Sequence, residues 1–147
     1  MIRLSDIKLP LDFDEYALKN EHSLGKTELW YILTAKRDAE LIYGFRKDMS
    51  REQVETAIRE KRIEEDLNHI PVHKNEVFFV EAGTVHAVGT GVLLAEIQEN
   101  SNVTYRLYDY DRIDRRERKR ALHIDKALDV AKLTVSTTPR QPMRVLK

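Results

Sequence analysis

Between residues 77 and 108 the chain reads as short apolar runs cut by turns, and this punctuation constrains the fold more than any other feature. Val77-Phe78-Phe79-Val80 is a strand-like run, and Glu81-Ala82-Gly83-Thr84 is a tight turn. Val85-His86-Ala87-Val88 resumes, Gly89 and Gly91 bracket a second turn, and residues 92–98 form a longer run. Residues 104–108 make the last strand-like segment. Short strands joined by turns suit antiparallel pairing, whereas parallel strands need long crossovers. No Gly-rich loop joins a strand to a helix in the manner of a nucleotide site. The pattern predicts a mainly β protein of the small-barrel or jelly-roll kind.

The rest of the chain adds helices to that frame. Residues 29–34 and 39–43 read as two consecutive strands across the polar turn Lys36-Arg37-Asp38, which predicts a hairpin. Ser50 with Gln53 three residues on is a capping-box signature. Val54, Ala57 and Ile58 then fall on one stripe, so the spacing predicts a helix over 50–62. A second short helix is expected over 63–67, giving a helical insertion over about residues 50–67. Residues 14–20 and 124–133 also read as helices. Ile7, Leu9 and Leu11 alternate like a strand, and Pro10 confines that strand to an edge or places the proline at its end.

Composition narrows the function classes. At 147 residues the chain is long enough for one domain with a real core. Its 25 basic and 25 acidic residues leave a net charge of +0, so bulk electrostatics supports neither a nucleic-acid nor an anionic-membrane partner. The run over residues 112–120 is rich in arginine but contains acids and no aromatics, and it reads as a solvated loop. With no cysteine, a metal site must draw on His, Asp and Glu. The N-terminus has no apolar signal region and no run approaches about 18 apolar residues, so a soluble, cytoplasmic protein is expected.

Three residues stand out chemically. His86 follows a turn and shares a strand face with Thr84 and Val88; it is either a metal ligand or a core histidine with a satisfied hydrogen bond. Glu28 opens the strand that carries Trp30; it is either a zinc ligand or a carboxylate paired with Lys26 or Arg106. Arg106 lies on one face with Thr104 and Tyr108, and suits an anionic or enediolate oxygen, or a salt bridge to Asp109 or Glu96. His22, His69, His73 and His123 show no ligand spacing among themselves and read as surface or packing residues.

Gly25-Lys26-Thr27-Glu28-Leu29-Trp30-Tyr31-Ile32, Ala82-Gly83-Thr84-Val85-His86-Ala87 and the long block over residues 91–109 resemble, in order and interval, the signature blocks of type I mannose-6-phosphate isomerases, closest to their short bacterial branch. The resemblance implies a partial cupin jelly roll over residues 14–133, preceded by an atypical segment at 1–13 and followed by a tail at 134–147. It implies one zinc ion and the interconversion of mannose 6-phosphate and fructose 6-phosphate. Its metal ligands map onto Glu28 and His86, its catalytic arginine onto Arg106, and a sugar-phosphate-binding lysine onto Lys26.

The sequence departs from that family in two ways. A further zinc histidine stands in the family just before the Tyr-Ala-Leu segment, and alignment on Tyr16-Ala17-Leu18 puts Leu11 there. The match also corresponds to a central part of the family's chain, without the strands that precede it or the second cupin-like domain that follows. Missing strands leave sheet edges that can pair with another chain, so self-association is expected. A cupin that binds a sugar phosphate or a protein partner without catalysis is the alternative reading.

Overall fold

The computed structural model describes residues 7–10, 14–22, 25–101, 103–136 and 140–141. Among these residues nine strands form two antiparallel sheets. β1 (Ile7–Pro10), β3 (Glu40–Phe45), β4 (Leu67–Pro71), β6 (His86–Val88) and β8 (Thr104–Tyr108) make a five-stranded sheet in the order β4-β3-β6-β1-β8. β2 (Glu28–Ala35), β5 (Val77–Val80), β7 (Val92–Gln98) and β9 (Arg140–Gln141) make a four-stranded sheet in the order β7-β2-β5-β9. From β4 onward every strand changes sheet, the connectivity of a jelly roll, and the cupin expectation holds.

The hairpin expected from residues 29–43 does not form. β2 pairs with β5 and β7, and β3 pairs with β4 and β6. Asp38, at φ +61, turns the chain over to the opposite sheet. The gain is face-to-face burial: Trp30 and Ile32 of β2 meet Leu41 and Tyr43 of β3 in one cluster with Phe78 and Val80. Side-by-side pairing would have left one face of each strand without that cover.

The described residues also form three α-helices: α1 (Asp14–Glu21), α2 (Arg51–Arg59) and α3 (Ile124–Val130). α2 starts at Ser50, whose side chain accepts from Gln53 N while the Gln53 side chain accepts from Ser50 N, the reciprocal capping box. Val54, Ala57 and Ile58 of α2 and Ala127, Leu128 and Val130 of α3 cover the outer face of the five-stranded sheet, against Ile42, Phe45, Val85, Ala87, Tyr105 and Leu107. The helix expected over 63–67 is a single 3-10 turn at Ile63–Asp66 that runs straight into β4, a strand the sequence pattern did not reveal. β1 is not an edge strand: it lies between β6 and β8, with Pro10 the last residue described in it. Leu11 lies outside the described residues.

A segment after α3 straps the sheet. Lys132 N donates to Gly83 O (2.9 Å), Met49 N to Leu133 O (2.8 Å) and Ser136 N to Phe45 O (3.1 Å). Gly44 makes this possible: its φ is +65, and a Cβ there would sit 1.9 Å from Ser136 Oγ. Gly44→Ala is therefore expected to lower stability by about 1–2 kcal/mol from the left-handed backbone alone, with a steric cost on top. Thermal melts will show the drop, and adding Ser136→Gly should recover the steric part while leaving the backbone part.

Candidate functional site

The sequence alternation builds the site directly. Lys26, Glu28 and Trp30 are two residues apart, so all three point between the sheets. From the facing sheet, β6 turns His86 to the same interior. All four are buried: Lys26 is 8% exposed, Glu28 and His86 4% each, and Trp30 1%.

The contacts define the roles of these groups. Lys26 Nζ stands 3.2 Å from Glu28 Oε1. Trp30 Nε1 donates to Glu28 Oε2 at 2.9 Å, so each carboxylate oxygen has a partner. His86 Nδ1 lies 2.9 Å from Thr84 O; a carbonyl only accepts, so Nδ1 carries the proton. Its Nε2 lies 3.9 Å from Glu28 Oε2 and is, in the neutral ring, the nitrogen that carries the lone pair. A backbone carbonyl fixing one ring nitrogen is the arrangement that orients a ligating histidine. The His86 ring also meets Trp30 edge to face, with centroids 5.1 Å apart.

Arg106 stands apart from this cluster. Lys8 of β1 is in register with His86 on one side and with Arg106 on the other, so the two share a row and a sheet face. Two strand spacings put their backbones about 10 Å apart. Tyr105 and Leu107 point to the helices, and Arg106 to the opposite face, as the alternation predicts. Its Nη1 donates to Ala121 O at 3.1 Å. Asp109 serves other arginines: Arg112 Nε reaches it at 3.0 Å and Arg120 Nε at 2.8 Å. Burial pushes the Asp109 carboxyl up, yet the two guanidiniums together outweigh it and hold the group below the usual carboxylate range. The arginine-rich loop is pinned in the same way, by Asp111 on Lys119 and Asp114 on Arg118.

Two participants escaped the sequence reading. Trp30 was legible as a strand aromatic but not as a hydrogen-bond donor to Glu28, although their spacing of two already put them on one face. His123 does more than sit on the surface or pack. Its backbone N donates to Arg106 O (2.8 Å) and its Nδ1 accepts from Arg106 N (3.1 Å), closing the edge of β8. No local signal links residues 17 apart.

No family model matches the chain. It is 45% identical over 115 residues to a mannose-6-phosphate isomerase of Streptococcus mutans, a match covering 78% of this chain and 36% of that protein. The crystal structure of the Bacillus subtilis mannose 6-phosphate isomerase superposes with a TM-score of 0.82 at 40% identity, over 88% of this chain and 41% of that one. A mannose 6-phosphate isomerase bound with zinc and yttrium shares the fold at a TM-score of 0.58 and 14% identity, covering 91% of this chain and 53% of that one. The chain thus spans between a third and about half of these proteins. Sequence and fold together make the chain a homologue of the mannose-6-phosphate isomerases.

Proposed function

We propose that this chain carries the cupin site of a mannose-6-phosphate isomerase, interconverting mannose 6-phosphate and fructose 6-phosphate through a cis-enediolate. The observation that carries the reading is the buried constellation of Lys26, Glu28 and His86 between the sheets, at the positions the family blocks assign. In that reaction a proton moves between C2 and C1 while charge builds on the oxygens. Arg106, on the same sheet face as His86, is the cation we assign to the enediolate oxygen. Lys26 lines the same interior, but its ammonium is committed to Glu28. We therefore read it as holding that carboxylate in place rather than as the phosphate ligand.

Zinc needs more than the described residues offer. A catalytic zinc centre takes three protein ligands. Glu28 and His86 are two, and among the described residues no cluster of three or more such side chains exists. Glu28 is also held by Lys26 and Trp30. The described donor set therefore does not fit the metal by itself, and a third donor must come from outside these residues for zinc to bind in the family manner. The occupation of both Glu28 oxygens by Lys26 and Trp30 favours a second reading, a cupin that binds the sugar phosphate without turning it over.

A coupled assay on the purified chain separates the two. Conversion of mannose 6-phosphate to fructose 6-phosphate is expected, falling by about 10²–10³ in kcat with Arg106→Ala. His86→Ala should abolish any zinc that metal analysis finds in the wild-type chain. Turnover lost in chelator would assign the third donor outside the described residues. A folded chain that binds the sugar phosphate by calorimetry with no turnover would replace the isomerase reading with the second one.

A further inference from the structure

β7 is the longest edge strand among the described residues, and its edge is the least protected. The edge of β8 is closed by His123 at Arg106. β4 ends in Pro71, whose carbonyl accepts from Arg140. β9 is described over Arg140–Gln141 alone. β7 has seven residues, Val92-Leu93-Leu94-Ala95-Glu96-Ile97-Gln98, with neither proline nor lysine, the residues that usually blunt an edge. Leu93 is 57% and Ile97 69% exposed, beside Phe79 and Leu29 on the outer sheet face.

Hydrogen bonding fixes which backbone groups that edge presents. Glu99 N bonds to Thr27 O across the β2–β7 pair, while Ile32 uses its N–H and C=O on Glu76 and Asn75 on the other side. Alternation then makes Ala95 and Ile97 the residues of β7 that bond to β2, opposite Tyr31 and Leu29. Leu94, Glu96 and Gln98 direct their N–H and C=O groups outward, away from β2.

We infer that β7 is a self-association edge: a second copy of this chain lays its own β7 antiparallel to the first, about a two-fold axis through Ala95. Register permits this axis, and the exposed Leu93 and Ile97 favour it over one at Leu94, which would set Leu93 against Ala95. It pairs Leu94 with Glu96 and Val92 with Gln98 as hydrogen-bonded pairs, which is where the outward groups lie. On the outer face it sets Leu93 against Ile97 and Ile97 against Leu93, so the pairing is self-complementary. Moving the axis by one residue to Glu96 would set two carboxylates directly opposite each other, which is unfavourable. The closed dimer joins two four-stranded sheets into one and uses up the edge that would otherwise propagate.

The chain has no cysteine, which makes the register directly testable. At the axis, Ala95 and its mate form a non-hydrogen-bonded pair with Cα atoms about 4.5 Å apart, within disulfide reach. Sedimentation velocity on the full chain should give a species of twice the 17.2 kDa chain mass. Ala95→Cys should oxidise to a covalent dimer, with Glu96→Cys far slower. Glu96→Pro loses an outward N–H, and Ile97→Lys adds a charge on an exposed position. Each should weaken dimerisation by roughly tenfold or more, or 1.4 kcal/mol, with an unchanged circular dichroism spectrum. A folded wild-type chain that stays monomeric at every concentration would overturn the proposal. So would a dimer that both variants leave intact, faster cross-linking at Glu96→Cys, or growth into larger assemblies.

Discussion

Lys26→Met is expected to destabilise the fold by about 3–5 kcal/mol, because it strands a buried carboxylate without its counter-ion. Lys26 and Glu28 are both more than nine-tenths buried and 3.2 Å apart. Methionine keeps most of the lysine stem and removes only the ammonium. Glu28 then retains the Trp30 N–H on one oxygen and loses its charge partner on the other. Removing both charges is a different experiment. Lys26→Met with Glu28→Met leaves no uncompensated charge, and buried pairs replaced by apolar groups of similar volume often prove neutral or stabilising. Urea denaturation of the single and double variants reads the difference. A single variant within about 1 kcal/mol of wild type would mean that the pair behaves as an exposed one, and the enclosed site would have to be abandoned. The double variant also separates stability from function: it should fold and yet lose any activity that depends on Glu28.

Trp30→Ala is expected to cost about 3–5 kcal/mol, the range for deleting a large aromatic from a core. Trp30 is 1% exposed and packs with Ile32, Leu41, Phe78 and Val80 between the sheets. It also donates to Glu28 Oε2 and meets His86 edge to face. Trp30→Phe divides these contributions: it keeps much of the packing and removes the N–H, leaving a carboxylate oxygen short of a donor at about 1–3 kcal/mol. Circular dichroism through a urea titration measures both losses. If Trp30→Phe were as stable as wild type, the Trp30–Glu28 hydrogen bond would carry no weight in holding the carboxylate.

Local pattern carried a good deal of this structure. The capping residues Ser50 and Gln53 and the stripe Val54, Ala57, Ile58 specify α2 within one turn of chain, and it forms as they dictate. Alternation told which residues of β6 and β8 point together, and the burial of Val85, Ala87, Tyr105 and Leu107 on the helix side agrees. The nearness of Lys26, Glu28 and Trp30 on one face was available from their spacing alone. Pairing was not. β2 and β3 are close in sequence and lie in different sheets, because both bury more by facing each other than by lying side by side.

A mainly β chain, the residues that line its interior and the chemistry they can offer all follow from local pattern, because side-chain alternation and caps are set by neighbours a few residues apart. Long-range packing brings His86 to face Glu28 across two sheets and lets His123 close the edge at Arg106. It also places β1 between β6 and β8, and β7 at the edge of its sheet among the described strands. Each of these depends on which distant strands share a ladder. That choice is made by the total area buried and the backbone groups satisfied across the whole fold, and no local segment encodes it.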